Sequence, residues 1–221
     1  MNVKEVGSSA FQILECELNP KESITVESGA MASQDVGLVP TTVMNGTFFQ
    51  ALALKFFGGE SFFINHFLNV SAKVQKIHIS QTTPGDIQCR KLEGEEIFLE
   101  AGSFIARAGD IKIKTKWAGF KNFIAGEGLF KLSFKGHGTI WYGCYGAVIE
   151  KEINGTYIVD SGHLLMWPPT INLKLKLAGG IIDSFLSKEG FVLQLEGKGK
   201  VQLQTRSVKG LAQWLNTRFW R

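Results

Sequence analysis

Five lysines occupy alternate positions in two strand-like segments of this chain. Ile111-Lys112-Ile113-Lys114-Thr115-Lys116-Trp117 alternates apolar and polar residues, and sixty residues on Ile171-Asn172-Leu173-Lys174-Leu175-Lys176-Leu177 repeats the pattern. Successive side chains of an extended chain point to opposite faces. Lys112, Lys114 and Lys116 therefore share one face, and Lys174 and Lys176 share another. Such a ladder suits two tasks. It can keep a sheet edge from pairing with other chains, or it can meet an anionic surface. Phospholipid headgroups return about 1 kcal/mol per nearby lysine, and a nucleic-acid backbone is the other polyanion of this kind. Only Trp117 is interleaved with the lysines, so the stacking platform of a nucleic-acid binder is lacking and nucleic acid is the weaker partner.

Other groups that can do chemistry are scattered. Glu60, Glu127 and Glu189 recur at corresponding places and, brought together, would form a carboxylate cluster able to hold a cation or move protons. Their recurrence favours a plainer role, each accepting backbone N–H bonds in a turn. His66, His78, His137 and His163 show no metal-ligand spacing. Ser161-Gly162-His163 lacks the G-x-S-x-G elbow of a serine nucleophile. Cys16, Cys89 and Cys144 have no CxxC spacing, and Cys16 and Cys89 align with Ile149, which reads as a buried small apolar position. No catalytic, metal or cofactor site is expected from these residues, and the chain is not read as an enzyme.

The elements that must carry these residues show a recurring plan. Glu27-Ser28-Gly29, Glu100-Ala101-Gly102 and Asp160-Ser161-Gly162 each close a strand pattern, and a second mark beginning at Glu60, Glu127 or Glu189 follows 25 to 31 residues later. A period of 60 to 73 residues implies three copies of one unit. They span about 10–80, 84–146 and 147–206 within a single domain, followed by a helical tail over 207–221. Each copy is expected to open on a hairpin: Ile13–Leu18 with Ser23–Ser28, Asp86–Lys91 with Glu96–Ala101, and Ala147–Glu152 with Thr156–Ser161 around Asn154-Gly155. Gly136-His137-Gly138 and Gly197-Lys198-Gly199 read as further hairpin turns, with a one-residue bulge expected in the second copy. Phe56, Phe123 and Phe185, four residues before each second glutamate, are expected to meet around a pseudo-threefold axis. In the tail, Val208, Leu211, Ala212, Leu215 and Phe219 fall on one helical face with Trp214 at its border. Docking of that stripe on the β body is expected, because an isolated helix this short is marginal in water. Leu211, Trp214, Leu215 and Phe219 are equally the residues that would meet a partner chain or a membrane.

Bulk composition fits this plan. The chain has 221 residues, 44% hydrophobic, with 25 glycines and 17 phenylalanines, enough for a full core of short strands and tight turns. Its longest weakly polar run, Gly138–Ile149, is too short to cross a bilayer core of about 30 Å as a helix. No apolar leader is evident in the first twenty residues, so a cytoplasmic location, peripheral to a membrane at most, is expected. The net charge of +4 hides an asymmetry: residues 1–110 carry 8 Lys/Arg against 13 Asp/Glu, and residues 111–221 carry 16 against 7. The second half can thus present a basic patch to an anionic partner.

Four short motifs stand in order: Gly58-Gly59-Glu60-Ser61-Phe62, Gly126-Glu127-Gly128-Leu129-Phe130, Asn154-Gly155 leading to Val159-Asp160-Ser161-Gly162-His163, and Gln204-Thr205-Arg206. Together they resemble the altered-inheritance-of-mitochondria family, number twenty-four, over about residues 10–206, and the chain looks like a prokaryotic-type member. The resemblance implies an all-β body of three fused units similar to the tryptophan-RNA-binding attenuation protein, double-stranded β-helix-like and pseudo-threefold, with a short C-terminal helix. Mitochondrial members support inner-membrane architecture, and prokaryotic members have no established activity. A non-enzymatic scaffold that self-associates or lies on a membrane is the expectation, with an RNA- or small-ligand-binding module as the alternative.

Overall fold

The computed structural model describes residues 1–44, 63–117, 130–177 and 191–219. Phe56, Phe123 and Phe185 lie outside the described residues, as do Glu60, Glu127 and Glu189, so their expected meeting at an axis falls outside them too. The chain is almost entirely β. Its strands are β1 (Asn2–Val6), β2 (Ile13–Leu18), β3 (Ser23–Glu27), β4 (Met31–Gln34), β5 (Leu38–Met44), β6 (Phe63–Asn69), β7 (Gln75–Ser80), β8 (Ile87–Glu100), β9 (Phe104–Trp117), β10 (Phe130–Gly143), β11 (Val148–Asp160), β12 (Leu164–Trp167), β13 (Ile171–Leu177) and β14 (Phe191–Gln204). A 3₁₀ turn at Ser161–His163 precedes β12, and one helix, α1 (Val208–Phe219), ends the described chain. Its bounds are those the apolar periodicity gives.

Two sheets hold these strands. One has the order β1-β2-β7-β4, and the other runs β11-β14-β12-β8-β10-β9-β3-β6-β5, with β13 also on β14. All these pairings are antiparallel. β10 pairs with β8 along one edge and with β9 along the other. β14 carries β11 on one edge and β12 followed by β13 on the other. The joins between these groups are short. β3 meets β9 only at Thr25–Arg107 and Val26–Ala106, and β12 meets β8 only at Met166–Leu99 and Trp167–Phe98. Alternation in the strands becomes alternation in burial: Leu14, Cys16 and Leu18 are fully buried on β2, while Ile13, Glu15 and Glu17 between them are not. Three buried clusters result. One gathers around Leu14, Val26 and Ile77, one around Leu99, Phe104 and Phe134, and one around Trp167, Leu193 and Val201. Phe104 and Phe134 stack with ring centroids 5.2 Å apart, an arrangement worth about 0.5–1.5 kcal/mol beyond burial.

The expected hairpins are absent. Ile87–Glu100 and Val148–Asp160 are each one continuous strand, and the register of β11 against β14 runs unbroken through Asn154–Lys198 and Gly155–Gly197. Even β2 and β3, which are separate strands, do not pair with each other. β2 lies between β1 and β7, and β3 between β6 and β9. Asn-Gly makes a hairpin only if its flanking segments have no better partner, and here both flanks pair with the same long strand. The two G-x-G sequences likewise sit inside β10 and β14 and close no hairpin. A bulge does occur in the second third, at the step from Lys135 to His137 against Glu96 and Glu93. Its extra residue lies in β8 beside Gly94, which has a φ of +109°, and not in the G-x-G strand. Of the aligned positions expected to be buried, Cys16 is buried but Cys89 and Ile149 are exposed; Cys144 is buried.

The G-x-G glycines are required by space as well as by φ. At Gly136 a Cβ would stand 2.1 Å from the Asp110 carbonyl oxygen, and at Gly197 2.1 Å from that of Thr170. Their φ values are +143° and +140°, which L side chains rarely adopt. At Gly102, by contrast, an added Cβ meets nothing within 4 Å. Gly197→Ala is expected to lower unfolding stability by roughly 1–3 kcal/mol or more, and Gly102→Ala by less than about 0.5 kcal/mol. Urea titration of the two variants against the parent checks this, and equal midpoints would refute the packing role.

Candidate functional site

The lysine ladder is built on β9 and β13 but is not one surface. Lys112 and Lys114 are exposed between buried Ile111 and Ile113, and Lys174 and Lys176 are exposed on β13. Lys116 lies on β9 at the position opposite Lys131. Their matching sequence suggests contiguity, but in the sheet order β10, β8, β12 and β14 lie between β9 and β13. On those intervening strands Ser133 and Phe98 are buried, in the row that contains Lys114.

The two halves also differ in charge balance. Lys174 Nζ forms an ion pair with Glu196 Oε2 at 2.6 Å. That contact, chiefly its hydrogen bond, pulls the Glu196 carboxyl below its ordinary range, with Lys176 adding a smaller attraction. On β9 the register places Lys112 directly opposite Lys135 of β10, and neither forms an ion pair among the described residues. Like charges facing each other across a ladder are destabilising, and Glu96, opposite Lys135 on its other side, offsets part of this. Lys131 extends the same face, its Nζ 4.1 Å from the centre of the Phe98 ring. Lys131 and Lys135 were legible in Phe130-Lys131-Leu132-Ser133-Phe134-Lys135, whose alternation matches β9. The β9–β10 half is therefore the less neutralised one.

One lysine row leads to the root of α1. The register aligns positions 116, 131 and 100 across β9, β10 and β8. Glu100 Oε2 accepts from Gln204 Nε2 at 3.1 Å, and that amide nitrogen also donates to the Gly162 carbonyl at 2.8 Å. Gln204 Oε1 accepts from the Tyr145 amide at 2.8 Å, and His163 Nδ1 lies 2.8 Å from the Gln204 carbonyl oxygen. Thr205 and Arg206 complete the anchor with backbone bonds to Ala147 and Tyr145. A cavity of about 80 Å³ lies beside this clasp, and Glu27, Gln81, Glu100, Gln204 and Val208 are among its walls. Burial pushes the Glu100 carboxyl up to about 7, against the opposing pull of the Gln204 hydrogen bond. The sequence marks Glu100 only as strand punctuation and Gln204 only as part of a motif. That they meet 104 residues apart is a tertiary fact.

Beyond its root α1 leaves the body. Ser207 caps it, with Oγ accepting from the Gly210 amide at 3.0 Å. No residue of the helix is buried, and Leu211, Trp214 and Phe219 are 39%, 56% and 76% exposed. Leu215 is partly covered. Among the described residues the expected docking of the apolar stripe on the β body is thus not found. There α1 packs chiefly against the polar Ser161–His163 turn. Arg218 stacks 5.0 Å from the Trp214 ring, and the helix contains no acidic residue.

The histidines are mostly occupied in local bonding. His78 lies 3.0 Å from Ser33 Oγ and 3.2 Å from Glu15 Oε2, and His66 lies 3.2 Å from Thr25 Oγ1. Among the described residues no three His, Cys, Asp or Glu side chains converge as metal ligands. No helix of the described residues is long and apolar enough to cross a membrane, which says nothing of a β-barrel.

The Glu100 clasp has a pH signature. A carboxyl whose folded pKa is raised holds its proton more tightly in the folded state. Stability is then full below the unfolded value of 4.5 and falls as pH rises through about 7. Glu100→Gln keeps a neutral partner for Gln204 and removes this loss. Denaturant unfolding of parent and variant at pH 5 and pH 8 is expected to show the variant gaining stability relative to the parent at the higher pH. An unchanged difference would place Glu100 in water.

The chain matches, over residues 4–206, the family described as Mitochondrial biogenesis AIM24. It is 24% identical over 214 residues to an uncharacterized protein of Streptococcus pyogenes serotype M6, an alignment spanning 93% of this chain and 86% of that one. A crystal structure of a Streptococcus pyogenes protein from a structural genomics programme superposes with a TM-score of 0.80 at 24% identity, covering 99% of both chains. That likeness shows the shared fold.

Proposed function

Because the chain belongs to the Mitochondrial biogenesis AIM24 family, whose bacterial relative above is uncharacterized, we propose that it is a non-enzymatic scaffold that lies on an anionic membrane face. The observation that carries this reading is the bare apolar stripe of α1. Leu211, Trp214 and Phe219 face solvent on a helix whose charges are the basic Lys209 and Arg218. An amphipathic helix with aromatic residues on one face and basic residues beside it lies in the headgroup region of a bilayer. The lysines of β9 and β10 supply the electrostatic part, since each near the surface adds about 1 kcal/mol in the field of anionic lipid. Their row is continued in register by Glu100, which holds Gln204 near the root of the helix.

Three copies of one unit in a single body, arranged around a common axis, remain our reading of the architecture. It is supported by the recurrence of partners: β10 between β8 and β9, β14 between β11 and β12–β13, and β6 and β7 between β2–β3 and β4–β5. Self-association is supported by a separate feature. Val39, Leu68, Val70 and Val74 are all exposed at one tip of the first third.

The deciding measurement is co-sedimentation with phosphatidylcholine vesicles, with and without phosphatidylserine, over a salt series, beside an oligonucleotide shift assay. Binding to the phosphatidylserine vesicles that weakens as salt rises is expected. Deleting residues 208–221 should abolish it without lowering thermal stability. Replacing Lys112, Lys114 and Lys135 by Gln should remove most of its salt dependence. Salt-sensitive binding to oligonucleotide with none to vesicles would replace this reading with the nucleic-acid one. A deletion that changes only the sedimentation coefficient would make α1 a contact between copies.

A further inference from the structure

The seam where β6, β3 and β9 lie side by side carries a polar row that neither the lysine surface nor the tail helix uses. Thr41, His66, Thr25 and Arg107 occupy successive positions across β5, β6, β3 and β9. Residues opposite one another in an antiparallel ladder point to the same face, so these four form one cluster. Thr25 is buried and His66 and Arg107 are half-buried. His66 Nδ1 is 3.2 Å from Thr25 Oγ1.

The guanidinium is only partly bonded. Arg107 Nη1 donates to the Gly109 carbonyl at 3.0 Å, which fixes the group along its own strand. Its Nε is buried and makes no hydrogen bond. A buried donor left without an acceptor costs about 1–3 kcal/mol. The Nε side of a guanidinium is one of the two edges that grip an oxyanion with parallel N–H bonds. Arg107 forms no ion pair among the described residues.

The row also sets one cationic group against another. The Arg107 charge and burial both hold His66 below its ordinary range, burial being the larger cause. Burial likewise holds Arg107 down, while Asp110 on the same strand raises it. The other charged groups on this side are Glu27 of β3, two residues from Thr25, and Arg90 of β8, whose charge acts on Tyr142 and Glu150. An imidazole, a hydroxyl and an unbonded guanidinium Nε thus converge, and no ion pair to a carboxylate joins them among the described residues. All three donate to oxygen, and two of them carry or can take a positive charge.

We propose that Thr25, His66 and Arg107 form a binding site for a phosphate-type oxyanion, with Arg107 turning its unbonded Nε edge out of its buried position to grip two oxygens and His66 and Thr25 donating to the others. Such an anion satisfies Arg107 Nε and relieves the Arg107–His66 repulsion. It also ties β6, β3 and β9 together at a join only two residue pairs wide on the β9 side. The chemistry is that of a phosphate monoester or free phosphate, whether dissolved or presented by a lipid headgroup. The site is independent of α1, so its failure leaves the membrane reading untouched.

The test follows the ring-proton resonances of His66 by NMR as a function of pH, in the full chain, with and without inorganic phosphate. An anion beside the imidazole favours its charged form, so the His66 pKa is expected to rise by about one unit. His78, already bonded to Ser33 and Glu15, serves as the internal control and should not move. The same titration with phosphatidic-acid vesicles separates sources: a rise with inorganic phosphate assigns a dissolved ligand, and a rise with vesicles alone assigns a headgroup. Arg107→Gln should abolish the rise. Arg107→Lys, which keeps the charge but loses the fork, should weaken phosphate binding at least about tenfold. A His66 titration unmoved by phosphate and by vesicles overturns the site, and that measurement needs no variant to fold. So does an equal rise at His78, or a rise that persists in Arg107→Gln.

Discussion

A strand of fourteen residues paired on both edges must bend without giving up its hydrogen bonds, and the rest of this structure depends on how β10 and β14 do so. A buried peptide group left unpaired costs about as much as a lost hydrogen bond. The bend therefore has to be made where the ladder can continue, and that requires backbones to approach more closely than a Cβ allows. Gly136 and Gly138 in β10 and Gly197 in β14 meet that requirement against the backbones of β9 and Thr170, while Gly199 makes room for the Pro168 and Thr170 side chains. Because β10 and β14 pair along both halves, their partners β8 and β11 stay continuous as well. Sheets bent in this way present separate inner faces, and three buried clusters form instead of one slab.

The joins between these bent sheets are where polar groups collect. Long strand pairs satisfy their own backbone groups, but the two-residue contacts of β3 with β9 and of β12 with β8 leave side chains to finish the accounting. Gln204 does so at the end of β14, using both ends of its amide to hold Glu100, Gly162 and Tyr145. Glu100 is kept in a place that disfavours its charge, a local cost that the surrounding bonds over-determine. Thr25, His66 and Arg107 occupy the other join, where the accounting is left open at Arg107 Nε. Polar side chains at the joins, more than those on the open strands, are the ones with specific geometry.

Electrostatics in this protein follow register more than sequence position. Lys112 and Lys174 belong to matching segments, yet they meet different neighbours. Glu196 neutralises Lys174 from the adjacent strand, whereas Lys112 faces Lys135. An acid-free helix with its aromatic residues in solvent is a second exposed cationic feature. Neither feature alone would bind a surface firmly. A short helix contributes a few side chains and screened lysines contribute little each, so both are needed together.

Much of the fold was legible before any coordinate. Alternation at Ile111–Trp117 and Ile171–Leu177, the helical spacing of Val208–Phe219 and the order of the four motifs determined an all-β body with one terminal helix and its family. Periodicity reports which face of an element is apolar, and that is a local property written in neighbouring residues. What periodicity cannot report is the partner. Asn154-Gly155 carries the sequence of a hairpin turn and is found inside a straight ladder, because β14 was available to pair with both flanks. Tail residues patterned for packing remain in solvent, because the surface they meet at Ser161–His163 is polar. Glu100 with Gln204, and His66 with Arg107, are joined across 104 and 41 positions by strand order alone. Nothing in their own neighbourhoods distinguishes them from surface residues. Which strand lies beside which is settled by burial summed over the whole body, and only the tertiary structure performs that sum.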